Sequence, residues 1–524
     1  MTDNRSQRLF DMMMRRRTFL GMAGGLAAAH WLPATALAQS EPKRGGILKV
    51  SCPGNPSSLD PYTGGSGFDH SYLYTMFDTL VEFEYATLKA KPGLAESWNY
   101  PDPQTLVMNL RQNVMFHDGT PFNAEAAKAN LDRGRTDQRS NIKGDLSTVD
   151  SVVVSGPNQI TIKLKQPDTA LPLILADRAG MMSSPKAVQD LGKDHDRKPV
   201  GTGAWKFVSF NDGEKVVVTR NEKYWKPGRP YLDGIELAVI PELATGLRSV
   251  VAGENDFVYA LTPQQKALID RAKNVNSATG PTLGCFGIYF NTGRPPFNDV
   301  RIRRAFNFAI DRNEFIKLTQ VGVGEPALMV LPTAHWAYDA ETAKIYPYDP
   351  EMAKKLVAEA GYKDGLDVNM VGFSDQSSAQ RQDVLIEQFR KANMRLKFTN
   401  GTVSETTTNY FGPEKRGDGY LAGWTGRPDP SLTYSLLFLK EAYYNTAHTD
   451  PPAELTQAIN DSRKYEDVEK RKEAFARVQK LAMENALWAP ISFSLELDAM
   501  SQKVKGYKPN LLGKPKFEDV WLEG

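Results

Sequence analysis

Period-two alternation of apolar and polar residues dominates the first half of the chain. In "SVVVSGPNQITIKL" (151–164), Val152 and Val154 share one side, and Ile160, Ile162 and Leu164 line a second run beyond Gly156-Pro157-Asn158. That pattern predicts an antiparallel hairpin. "WKFVSFNDGEKVVVTRN" (205–221) predicts another, turned by Asn211-Asp212-Gly213. "GGILKVSCPG" (45–54) predicts a strand from Ile47 to the breaker Pro53-Gly54, and "LVMNLRQNVMF" (106–116) a half-buried strand.

Helical spacing takes over in the second half. "NDVRIRRAFNFAIDRNEFI" (298–316) carries Ile302, Phe306 and Ile310 at helical intervals behind a cap at Asn298 or Asp299, and its arginines read as a solvated face. "YDPEMAKKLVAEAGY" (348–362) has Asp349 as cap, Pro350 at the first helical position and Gly361 as stop. "DVLIEQFRKANMRLKF" (383–398) predicts helix then strand, and "PISFSLELDAM" (490–500) a strand near the C-terminus. No internal repeat or low-complexity tract appears. Hairpins first, alternating helices and strands next and a final strand predict an α/β protein. One lobe is discontinuous, and the end of the chain returns to its beginning.

Length changes this picture only by requiring more than one core: 524 residues suggest roughly two to four domain-sized units. The first 38 residues stand apart. Arg15, Arg16 and Arg17 precede a weakly apolar Ala/Gly-rich core ending in Ala36-Leu37-Ala38, a secretory signal with a small-residue cleavage site. "RRTFL" (16–20) resembles the twin-arginine export signal, although Arg15 occupies the usual small polar position. The leader carries five Arg and two Asp, so the remainder has 59 basic and 60 acidic residues, net −1. That balance excludes a nucleic-acid footprint. Cys52 and Cys285 allow one disulfide but no framework; two buried free thiols are the preferred reading.

Candidate chemistry is sparse. The five remaining histidines, at 70, 117, 195, 335 and 448, stand alone, so no metal ligand set and no cofactor is expected. "FHDGTPF" (116–122) juxtaposes His117 and Asp118, but Asp118-Gly119 reads as a turn before a helix. "GWTGRPDP" (423–430) cannot be helix interior or central strand. It reads as a loop presenting Trp424, Arg427 and Asp429.

Several blocks together carry a resemblance. "PGLAESW" (92–98), "LRQNVMFHDGTPFNAE" (110–125), "VGTGAWKF" (200–207), "NEKYWKPGRPYLDGIE" (221–236), "YFNTGRPPFNDVRIRRAFNFAIDR" (289–312), "PYDPEMAKKLVAEAGY" (347–362) and "GWTGRPDP" occur in order over nearly all of the mature chain. In this the sequence resembles the family-5 extracellular solute-binding proteins, the periplasmic oligopeptide-, dipeptide- and nickel-binding components of ABC importers.

The resemblance implies a two-lobe periplasmic binding protein fold (type II) with an extra subdomain in the first lobe. It implies lobe I at 39–284 with a subdomain near 77–198, lobe II at 285–489, and a return to lobe I at 490–524. The crossings fall near "GCFGIYFNT" (284–292) and "WAPISFS" (488–494). It implies no catalysis: a peptide-like or small anionic solute is captured and passed to a membrane permease with ATPase subunits. The protein is expected to be a periplasmic monomer.

Dipeptide-binding members hold the ligand ammonium with an acid directly after the GWTG-like stretch; here Arg427 stands there. The Arg those members place after an earlier strand is missing from "VGFSDQSSAQ" (371–380). Both changes point towards an anionic or acyl-blocked ligand clamped by Arg427 and by Arg178, from "LADRAGMMSSP" (175–185). Trp424 and aromatics from 62 to 74, notably Tyr62 and Phe68, would stack on it, with Asp429 and Trp336 as weaker candidates. The structural alternatives are an Arg427–Asp429 ion pair, an Arg178–Asp177 ion pair or cap, and core packing for Trp424. A secreted hydrolase using His117 and Asp118 or a carboxylate pair, and a metal- or haem-carrying relative, are the other readings.

Overall fold

A mixed eleven-stranded sheet runs through the molecule in a computed structural model that describes residues 41–524. The leader, its twin-arginine character and its cleavage after Ala38 lie outside the described residues. At the centre of the sheet, the long strands Val275–Phe290 and Trp488–Ser501 pair antiparallel. Their register is interrupted between Pro281 and Cys285 and again at Phe286/Gly287. Beyond Val275–Phe290 lie Gly419–Trp424, Leu366–Phe373 and Met394–Gly401; beyond Trp488–Ser501 lie Phe257–Val258, Ile47–Cys52, Gly234–Val239, Lys215–Arg220 and Trp205–Asn211, and the short Glu325–Pro326 pairs off this path with Trp488–Ser501. The two central strands therefore serve both halves of the sheet.

Both hairpins form. Val149–Gly156 pairs with Gln159–Leu164, and Trp205–Asn211 with Lys215–Arg220. The first belongs to a separate four-stranded sheet with Ala95–Asp102 and Thr105–Leu110. Helix Ala124–Thr136, capped by Asn123, packs beside it. The strand expected over 106–116 ends at Leu110, and Asn113 then takes a left-handed conformation (φ 59°) that a strand cannot continue through.

The helix expected over 298–316 is two helices, Val300–Ala309 and Arg312–Thr319, each started by an Asp whose side chain accepts a backbone N–H. Its arginines are not all on a solvated face. Arg303 and Arg312 are buried because their guanidinium groups donate to backbone carbonyls, Arg303 to Phe297 and Asn485, and Arg312 to Ala327 and Pro490. Guanidinium groups bonded to backbone carbonyls in this way tolerate burial without a carboxylate. Helix Pro350–Glu359 starts at Asp349, and Gly361 follows with φ 104°. No helix among the described residues is long and apolar enough to cross a membrane. Cys52 and Cys285 are buried free thiols.

Candidate functional site

Six stretches distant in sequence converge on one cavity of about 690 Å³: residues 64–71, 141–145, 177–178, 259–260, 425–428 and 512–515. Its volume lies within the roughly 300–1,000 Å³ usual for small-molecule sites. The 425–428 segment follows strand Gly419–Trp424 on one side of the central pair, whereas the Tyr259-Ala260 segment follows Phe257–Val258 on the other. A second cavity, of about 360 Å³, is lined by Arg303, Leu437, Tyr444 and Trp488 and shares no wall with the first.

The 64–71 segment is tied down from behind. Asp69, fully buried, accepts from Ser57 N (2.7 Å), Ser57 Oγ (2.8 Å) and Ser66 N (3.1 Å) and pairs with Arg178 at 2.9 Å. Arg178 also donates to the carbonyls of Gly64 (2.7 Å) and Ser66, and from Nε to His70 Nε2 (3.4 Å). Four of its five N–H groups are thereby used within the protein. A Cβ at Gly64 would sit 2.4 Å from Asp69 Oδ2, so this glycine makes room for the ion pair. Lys514 lies 3.6 Å from Asp177 and 3.0 Å from His70 Nε2. Burial pushes His70 down to about 4, so its ring is neutral at neutral pH and Lys514 supplies the charge opposite Asp177.

Two charged groups on the cavity wall are left without such partners. Arg427 bonds only to its own loop, the Gly426 carbonyl (2.7 Å) and Thr425 Oγ1 (3.3 Å), and its guanidinium lies 5.0 Å from the Trp424 ring centre. No carboxylate among the described residues forms an ion pair with it. Asp145 has neither a hydrogen bond nor an ion pair to another described residue, and it lines the same cavity. Burial pushes its carboxyl up to about 6, a rise that Arg427 partly offsets across the space between them.

The loop carrying Arg427 is held at both ends. Gly426 has φ 72°, and a Cβ there would fall 2.2 Å from Leu283 Cβ, so only glycine lets the loop lie against strand Val275–Phe290. Asp429 starts helix Pro430–Phe438 by accepting from Ser431 N, and its other oxygen pairs with Arg471 at 2.8 Å, both side chains being buried.

Residues 89–446 match the model of the bacterial extracellular solute-binding proteins, family 5. The chain belongs to this family. It is 28% identical over 490 residues to the glutathione-binding protein GsiB of Escherichia coli strain K12, covering 90% of this chain and 94% of that one. The ABC transporter-associated periplasmic binding protein DppA from Helicobacter pylori, solved with the peptide STSA, superposes with a TM-score of 0.79 at 23% identity over 92% of this chain and 99% of its own. The ABC transporter substrate-binding protein CtaP from Listeria monocytogenes gives 0.82 at 21% identity over 92% and 100%. The fold is accordingly the α/β type II fold of periplasmic binding proteins.

Among the residues that sequence reasoning singled out in this family-5 protein, Phe68, Arg178 and Arg427 line the cavity. The other four do not. Trp424 is 2% exposed and belongs to the core beneath the loop, edge-on to Tyr444 at 5.0 Å, so it supports Arg427 from behind. Tyr62 is buried, donates to the Met181 carbonyl (3.0 Å) and underlies Arg133. Asp429 is spent on the helix start and Arg471, which excludes the Arg427–Asp429 ion pair. Trp336 stands against Arg471 and Phe475 and lines a different cavity with Trp98 and Tyr100. Arg178 pairs with Asp69, not Asp177.

The geometry gives no support to a hydrolase built on His117 and Asp118. His117 Nδ1 accepts from Gly201 N and its Nε2 donates to the Gly203 carbonyl (2.9 Å), while Asp118 holds Thr120 and Ser184. The two side chains form no dyad. Asp145 and Lys514 are absent from the sequence reading, and His70 and Asp177 enter it only as a lone histidine and as a partner for Arg178. The one local signal was Gly513, which precedes Lys514 with φ 63°.

Proposed function

We propose that this family-5 protein is the periplasmic solute-binding component of an ABC importer, exported on a leader that ends at Ala38 and acting as a monomer without covalent chemistry. It captures a peptide-like or small carboxylate-bearing solute between two lobes, 39–284 with 490–524 and 285–489, and delivers it to a permease and its ATPase subunits. The interrupted register between Pro281 and Cys285 supports a hinge there. Closure is stabilised only by the difference in solute affinity between open and closed states.

The observation that carries this reading is Arg427, a guanidinium on the wall of the cavity with no carboxylate partner of its own. Its forked donors suit a carboxylate. Arg178 shapes the 64–71 wall, and Phe68, 43% exposed, offers a face for stacking.

A thermal-shift screen of peptides, dicarboxylates, opine-like conjugates and glutathione tests it. A solute at a hundred times its Kd adds about 2.7 kcal/mol to stability. A charge-assisted hydrogen bond is worth about 1.5–3 kcal/mol, so Arg427→Ala should weaken binding about ten- to hundredfold. Stabilisation by solutes lacking a carboxylate alone, or normal binding by Arg427→Ala, would sink the proposal.

A further inference from the structure

Most of the charge around the cavity is already neutralised in place. Arg178 is held by Asp69 and Lys514 by Asp177. Among the described residues lining the cavity, what is left over is one cation, Arg427, and one anion, Asp145. They come from different elements: Arg427 from the loop after strand Gly419–Trp424, and Asp145 from the segment between helix Ala124–Thr136 and strand Val149–Gly156. They feel each other's charge but form no ion pair. A solute bearing only carboxylates would satisfy Arg427 while bringing like charge towards Asp145. An acyl-blocked solute, the expectation raised by Arg427 alone, would leave Asp145 without a counter-charge in a desolvated site, which is costly.

We infer that Asp145 is the second polar anchor of the cavity, and that the solute carries a cationic nitrogen held by Asp145 as well as the carboxylate held by Arg427. This rests on the function proposed above and narrows it from carboxylate-bearing solutes to bipolar ones. Asp145 then decides specificity: it rejects the blocked analogue of a solute whose free amine it accepts.

The sign of the pH dependence follows. The groups facing Asp145 are Arg427, Arg178, Lys514 and Asp177, with neutral His70 on the same wall. A cation bound beside Asp145 favours its ionised form, so affinity is full above about pH 6 and falls as pH drops through that value. A purely anionic solute would do the opposite, binding more tightly as Asp145 takes up a proton.

The test uses the full mature protein and matched probes: a set of dipeptides and glutathione, each with its N-acetyl counterpart, titrated calorimetrically between pH 5 and 7. At least one free-amine probe should bind, and its N-acetyl partner should bind about ten- to hundredfold more weakly. The free-amine affinity should fall towards pH 5. Asp145→Asn should weaken the free-amine probe alone and flatten its pH profile; the wild-type profile serves if that variant does not fold. N-acetyl probes that bind equally well and still require Arg427 would overturn the role of Asp145 while leaving the carboxylate site standing. Affinity that rises towards pH 5 would overturn it too. No binding by any probe would count against both.

Discussion

Removing Arg471 should expose how the Arg427 loop is held. Asp429 is buried, with Oδ1 taken by Ser431 N (2.9 Å) and Ser431 Oγ (2.6 Å), and Oδ2 dependent on Arg471 at 2.8 Å. In Arg471→Met the carboxylate has two options. Staying ionised without its partner costs about 3–5 kcal/mol. Taking up a proton at pH 7, from an unfolded value near 3.9, costs about 4 kcal/mol at ~1.36 kcal/mol per unit. The two routes agree on roughly 4 kcal/mol. With an unfolding entropy of about 2.1 cal/mol/K per residue over some 480 residues, that is a fall of about 4 °C if the whole unit melts together.

The deficit must also depend on pH. In the wild type, burial would raise Asp429, but Arg471 and Ser431 outweigh it and hold the carboxyl below its usual range. Its stabilisation is therefore present above about pH 4 and lost below. The gap should narrow as pH falls: protonating Asp429 in the variant costs about 4 kcal/mol at pH 7 but only about 1 kcal/mol at pH 4.5, and below about pH 4 the wild type loses its own stabilisation as well. Calorimetry and urea unfolding at both pH values measure it, and adding Asp429→Asn should recover most of the loss. A deficit below about 1 kcal/mol at pH 7, or one equal at the two pH values, would refute the argument.

Three further outcomes are expected. Asp60 is buried between Arg133 (2.6 Å) and His195 (2.8 Å); burial raises its carboxyl, but these partners hold it well below the usual range. Asp60→Asn should cost about 3 kcal/mol at pH 7 and progressively less below pH 4, and a loss independent of pH in denaturation curves would contradict this. Gly426→Ala should lower stability by about 1–3 kcal/mol and weaken solute binding, with Leu283→Ala restoring part of both; unchanged melting and titration would show that the loop does not need its glycine. Burial pushes the Cys52 thiol up to about 12 and raises Cys285 as well, so thiol reagents should label neither in the native protein and both in denaturant without reductant.

Local order was legible where the chemistry is local. The turn residues between 154 and 160 and between 210 and 216 mark both hairpins, and Asp299 and Asp349 mark their helix starts because each cap bonds within three residues of itself. The end of the strand at Leu110 is not legible because the left-handed Asn113 leaves alternation intact in sequence while ending it in space. Arg303 and Arg312 looked like surface charges because their carbonyl acceptors at 485 and 490 lie nearly two hundred residues away. The candidate site was legible in part for the same reason. Arg427 announces itself in a Gly/Pro loop, but nothing near Asp145 in sequence reveals that it shares a cavity with residue 427. Large aromatics beside a presenting loop suggest stacking; Trp424 instead fills the core beneath the loop, and Tyr62 packs in a separate core under Arg133.

The fixing of the 423–430 loop bears on how such a protein diverges. Trp424 roots it in the core, Gly426 lays it on strand Val275–Phe290, and Asp429 clasps Arg471, so these three positions, and not 427, hold the loop in place. Among the described residues, Arg427 hydrogen-bonds only within its own loop and stacks on the face of Trp424. A change of codon there should cost the fold a few tenths of a kcal/mol while rewriting the charge on the cavity wall. Descendants of one ancestral chain could thus trade cargo by single steps at this position, each intermediate remaining a folded and exportable protein.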